Sequence, residues 1–116
     1  MIGVDIIEID RVAKAASKDS FLTGTYTQGE LAYYRQTGKR SETLAGIFAA
    51  KEAVAKASGK GLMAGYKLTD IEVEHTESGQ PYIILHGGAK DIFGGKILDI
   101  SISHNKTMAI AFCVVR

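Results

Sequence analysis

The order of elements predicts an α+β fold with a mainly antiparallel sheet packed on a long central helix. Two observations carry that expectation. The stretch "GIFAAKEAVAKASGKG" over residues 46–61 is small and apolar over most of its length, and the second half of the chain alternates in the manner of strands around two short polar turns.

The opening "MIGVDIIEID" reads as a strand, with Ile2, Val4 and Ile6 on one face and Asp5, Ile7 and Ile9 on the other. A short helix is expected from about Asp10 to Lys18. In "TQGELAYYRQ", Thr27 and Glu30 have the spacing of a capping box, so a further helix starts there and ends near Gly38. The central helix is predicted from Glu42 to Ser58, with Gly59 in the position that ends a helix. The segments "DIEVEHT" and "QPYIILH" flank the turn "ESG" as one hairpin. "GGAKDIFGG" is a helical turn between glycines, and "KILDISISH" and "MAIAFCVV" flank "NKT" as a second hairpin. No repeat, low-complexity tract or linker interrupts the 116 residues, which are expected to form one domain, 1–116.

Charge and cysteine usage exclude several classes. Lys and Arg number 14 against 13 Asp and Glu, so no overall field favours nucleic acid or an anionic membrane, and any electrostatic recognition is local. Cys113 is the single cysteine and supplies neither an internal disulfide nor a multi-cysteine metal site. With no 18-residue apolar run and no signal-type start, a cytoplasmic protein is expected.

Around the central helix, Leu44, Ile47, Phe48 and Ala55 form one apolar stripe and Gly46, Ala50, Ala53, Val54 and Ala57 a second, so the helix is expected to be buried on both sides. Glu52 and Lys56 share the narrow strip between them, and Lys51 lies at the edge of the first stripe. Asp5, Glu52 and His104 are thus polar residues on otherwise apolar faces. Two carboxylates in a half-buried place repel unless a cation or proton lies between them, and hard oxygen ligands suit magnesium, which completes its shell with water and substrate phosphate. Lys56, one turn beyond Glu52, then reaches the same phosphates. The alternatives are a turn capped by Asp5 and an intrahelical Glu52–Lys56 pair. His104 has either a structural or a catalytic place at its strand end. Neither a hydrolase triad nor a Walker motif is present, and His75 and His86 have no evident role. Arg11, Lys14 and Lys18 follow i, i+3, i+7 spacing, either as a solvated face or as a dock for an acidic partner.

Together, "GVDIIEIDR", "LAGIFAAKEAVAKASGKG" and "ISISHNKTMAIA" resemble the three motifs of the holo-[acyl-carrier-protein] synthases, which are phosphopantetheinyl transferases, in the order and spacing of that family. The resemblance covers essentially the whole chain. It implies the 4′-phosphopantetheinyl transferase fold and transfer of the 4′-phosphopantetheine arm of coenzyme A to a serine of an acyl carrier protein, leaving adenosine 3′,5′-bisphosphate, in support of fatty acid biosynthesis. It implies that Asp5 and Glu52 hold magnesium, that Lys56 contacts phosphate, and that Gly59, Lys60, His104 and Lys106 belong to the coenzyme A site. Arg11 and Lys14, with Lys18 following, would dock the acidic carrier protein. It further implies a homotrimer with sites between subunits, which would account for a central helix apolar on two sides.

Where the family commonly has arginine this chain has Ile47, and where it commonly has an aromatic residue it has Met108. Lys60 or Lys106 is expected to replace the missing cation. For the serine proton, Glu52 is one candidate base, and water or hydroxide on the metal, held by Asp5 or Glu52, is preferred because a metal-bound carboxylate is a weak base. Two rivals remain at this point: a magnesium-dependent phosphate-anhydride hydrolase, and a protein that binds coenzyme A or acyl carrier protein with little or no turnover.

Overall fold

The computed structural model describes residues 1–59 and 65–116. Strand β1 (Ile2–Glu8) is followed by four helices, α1 (Ile9–Ala15), α2 (Asp19–Thr25), α3 (Gln28–Gln36) and α4 (Ser41–Ala57). A 3-10 turn at Leu68–Asp70 leads into the hairpin β2 (Ile71–His75) and β3 (Pro81–Leu85). Helix α5 (Gly87–Phe93) and the hairpin β4 (Leu98–His104) and β5 (Met108–Val115) complete the chain.

The strands form a three-stranded antiparallel sheet in the order β1-β5-β4 and a separate β2-β3 ribbon. The inner face of β5, Ala109, Ala111 and Cys113, is buried, and these small side chains let α4 lie close across the sheet. Gly3 makes the closest approach. A Cβ at that position would overlap the carbonyl oxygen of Ala53 and stand 2.7 Å from the nitrogen of Ala57, so only glycine lets β1 rest on the helix backbone there.

Helix α4 packs on β1, β5 and β4 and also on α1, α3 and β2. Both of its apolar stripes are therefore covered within one chain, and self-association is not needed to bury them. What stays open is the strip Phe48, Glu52 and Lys56, spaced four apart, which is partly or fully exposed while the rest of the helix from Leu44 onward is buried. Phe48 thus belongs to the strip of Glu52, not to the covered stripe.

The Thr27 cap forms as predicted. Its hydroxyl accepts from Glu30 N at 3.1 Å, and Glu30 Oε1 accepts from Thr27 N at 2.8 Å. Gly59 takes φ +82 just past α4, a conformation that favours glycine. The expected helix from Asp10 to Lys18 is shorter, because Ala16 ends α1 and Lys18 precedes a separate helix, α2. Phe21 and Leu22 of α2 pack against the core, a tertiary contact that "SKDSFLTGTY" does not reveal by periodicity. Among the described residues, no helix is long and apolar enough to cross a membrane.

Candidate active site

Asp5 lies two residues beyond Gly3, on the face of β1 that rests on α4. Its Oδ1 accepts from Lys56 Nζ at 3.0 Å, and the same ammonium donates to the Val4 carbonyl at 3.2 Å. Lys56 thus bridges helix to strand and does not pair within the helix with Glu52. The side chain of Asp5 is 14% exposed and that of Lys56 54%, so the pair is open to solvent on the lysine side and contributes little to stability.

Glu52 lies near enough to feel the charges of both and makes no hydrogen bond or ion pair to another described residue. Burial pushes its carboxyl above the usual 4.5, the negative charge of Asp5 pushes it further, and Lys56 offsets part of the rise. The sequence-derived pairing of Asp5, Glu52 and Lys56 is therefore brought together in space. Two carboxylates faced by one ammonium leave an excess negative charge and unpartnered oxygens, a donor set that fits a hard divalent cation completing its shell with water and phosphate. No group of three or more candidate metal ligands occurs among the described residues.

His104 ends β4. Through the register, Asp5 is level with Ala111 and Ile102, and Ile7 with Ala109 and His104, so His104 shares the sheet face of Asp5. Two strand spacings and two residues of rise separate them by roughly 12 Å. His104 lines another cavity, of about 230 Å³, with Tyr33, Ile47, His75 and Ile102. His75 stacks face to face on Tyr33 at 3.9 Å, and burial pushes its imidazole pKa down. Neither His75 nor Tyr33 stands out in the sequence as a site residue, because stacking between α3 and β2 leaves no local pattern.

Lys106 lies in the exposed β4–β5 turn, which is shaped by Asn105 Oδ1 accepting from Thr107 N at 2.9 Å and Met108 N at 2.8 Å. Lys106 does not line the cavity of His104 and Ile47. Gly59 adjoins the end of α4, and Lys60 falls outside the described residues. Arg11 and Lys14 are exposed on α1, while Lys18 precedes α2, so the three do not form a stripe on one helix. Arg11 instead borders an apolar groove with Ile7, Val12, Ala15, Phe21 and Phe48. That groove adjoins the Phe48, Glu52, Lys56 strip of α4.

A family model described as the 4′-phosphopantetheinyl transferase superfamily matches residues 1–113. The chain belongs to this superfamily. Among relatives of this phosphopantetheinyl transferase superfamily member, a holo-[acyl-carrier-protein] synthase of Clostridium perfringens is 44% identical, with 98% of this chain and 91% of that protein covered. One of Fusobacterium nucleatum is 42% identical, with 98% and 96% covered. Among solved structures, the Helicobacter pylori holo-[acyl-carrier-protein] synthase in complex with coenzyme A is similar with a TM-score of 0.89 at 34% identity, covering all of both chains. The full-length match in fold agrees with the predicted α+β architecture.

Proposed function

We propose that the chain transfers the 4′-phosphopantetheine arm of coenzyme A to a serine of an apo acyl carrier protein, leaving adenosine 3′,5′-bisphosphate. The observation that supports this reading best is the meeting of Asp5, Glu52 and Lys56 where β1 crosses α4, in a chain of this superfamily. Relatives carry the name holo-[acyl-carrier-protein] synthase, and the Helicobacter pylori structure is a complex with coenzyme A.

The chemical problem is attack by a neutral hydroxyl on a pyrophosphate that already carries several negative charges. Positioning and charge neutralisation are the main contributions open to the protein. Asp5 and Glu52 would hold magnesium, which supplies charge neutralisation at the phosphates when bound. Lys56, exposed on its outer side and held in place by Asp5 and the Val4 carbonyl, meets the oxygens of the phosphorus under attack. Water held by Asp5 or Glu52 takes the serine proton and passes one of its own to a phosphate oxygen of the leaving adenosine 3′,5′-bisphosphate, so no charge is left on the water. Gly59, at the end of α4, allows close approach of backbone to substrate. His104 and the cavity beside Ile47 receive a remote part of coenzyme A, with Lys60 or Lys106 as the compensating cation. Arg11, beside its apolar groove, and Lys14 dock the acidic carrier protein, and Lys18 contributes from the start of α2.

The same reading places this chain in the cytoplasm, in fatty acid biosynthesis, as a single domain and as a homotrimer. For the last, support comes from the outer sheet face. Ile2, Val4, Ile6, Ile110 and Phe112 are 40% to 64% exposed, and the β1–β5 register puts them on one side. An uncovered apolar sheet face of this kind is a candidate self-association surface.

The deciding experiment is the intact mass of an apo carrier protein after incubation with this chain, coenzyme A and magnesium. A gain of one phosphopantetheine is expected. Cleavage of coenzyme A without a carrier would favour a hydrolase, and binding with no mass gain would favour a binding protein.

A further inference from the structure

Five residues before Lys56, α4 carries a second lysine that this chemistry does not use. Lys51 is fully buried. Its Nζ lies 2.6 Å from Glu30 Oε1, donates to the Leu68 carbonyl at 3.0 Å and stands 5.8 Å from the centre of the Tyr26 ring. Glu30 is buried as completely, and beyond the cap bond its Oε2 accepts from Val73 N at 2.7 Å. One ion pair therefore joins the start of α3, the middle of α4, the 3-10 turn and β2.

Taking two charges out of water costs about as much as their attraction returns, and an apolar pair of similar volume often gives a fold of equal stability. Stability is thus a weak reason for this pair. An apolar contact, however, slides, whereas a short charge-assisted bond and a bond to a fixed carbonyl are directional. At about 100° per residue, Glu52 and Lys56 project about 100° and 140° round the helix from Lys51. A rotation of α4 that loosened Lys51 would swing both away from Asp5.

We propose that Glu30 and Lys51 are positioning residues for the transfer reaction, holding α4 at one rotation so that Glu52 and Lys56 meet Asp5. This rests on the function proposed above.

The test uses the full chain with Glu30→Asp, which keeps both charges but draws the carboxylate back, and with Lys51→Met/Glu30→Gln, which removes one charge of each sign. Turnover, KM for apo carrier protein and magnesium dependence are measured alongside circular dichroism. In variants with native dichroism, kcat should fall by roughly tenfold or more, the magnesium concentration for half-maximal rate should rise, and KM for the carrier protein should stay within about twofold, since docking at α1 is not disturbed. A natively folded variant with unchanged kcat and magnesium dependence overturns the proposal. If the double variant unfolds, Glu30→Asp decides; if both unfold, the pair merely holds the fold and the proposal is overturned. No transfer by the unaltered chain would count against the proposed function alone. The shift of melting temperature on adding magnesium, compared between unaltered chain and variants, then tests the positioning by itself: equal shifts overturn it.

Discussion

Two lysine–carboxylate pairs on one helix, five residues apart, have opposite characters. Lys51 and Glu30 are both 0% exposed, and the oxygens of Glu30 are taken up by Lys51 and two backbone amides. Lys56 and Asp5 meet at 3.0 Å with side chains 54% and 14% exposed, beside a Glu52 that has no direct partner among the described residues. Burial pushes the Glu30 carboxyl up and the Lys51 ammonium down, and their mutual attraction opposes both shifts. The lesson is that a satisfied pair holds geometry, whereas a pair with an unsatisfied neighbour and solvent access can hold a ligand.

The largest expected effect separates these roles. Asp5→Ala and Glu52→Ala should each lower turnover by on the order of a hundredfold or more while circular dichroism stays native. A folded Asp5 or Glu52 variant with near-normal turnover at low magnesium would remove that residue from the proposed metal site. On the other pair the effect is on stability: Lys51→Ala should cost about 3–5 kcal/mol in urea unfolding by leaving Glu30 buried without its partner, against about 0–1 kcal/mol for Lys56→Ala. Equal losses would erase the distinction between the pairs.

A smaller effect concerns docking. Arg11→Glu or Lys14→Glu should raise KM for the carrier protein several-fold, more at low salt, with KM for coenzyme A nearly unchanged. Lys18→Glu should act more weakly, because the break at Ala16 takes Lys18 off α1. Equal effects on both substrates would count against a dedicated docking surface.

The smallest effect is the pH dependence of Glu52. Its carboxyl titrates above the usual 4.5, so the folded chain holds that proton more tightly than the unfolded chain. The resulting stabilisation is full below pH 4.5 and is lost as pH rises through the folded value. Solvent screening at a half-buried site keeps it small. Without magnesium, the unaltered chain should therefore lose stability relative to Glu52→Gln as pH rises out of the acid range. Adding magnesium should reverse the difference only on the high-pH side. A difference that does not change with pH would mean that Asp5 and burial do not act on Glu52.

Much of this was legible in the chain itself. Period-two alternation marked all five strands, the Thr27 and Glu30 spacing marked the start of α3, and Gly59 marked the end of α4, because each reflects backbone hydrogen bonding or burial within a few residues. Asp5, Glu52 and Lys56 were recognisable because a charge on an apolar face is locally anomalous. The sequence determined which residues were unusual; only the tertiary structure decided their partners. Lys56 turned from Glu52 to Asp5 because Gly3 lets β1 lie on the helix backbone. Lys51 found Glu30 through packing of α3 on α4, although the capping box alone already accounted for Glu30. Both stripes of α4 were satisfied by one chain, leaving the outer face of the sheet exposed. A local pattern specifies what a side chain needs, namely burial, a bond or a counter-charge, but the group that meets the need comes from wherever the chain returns in space.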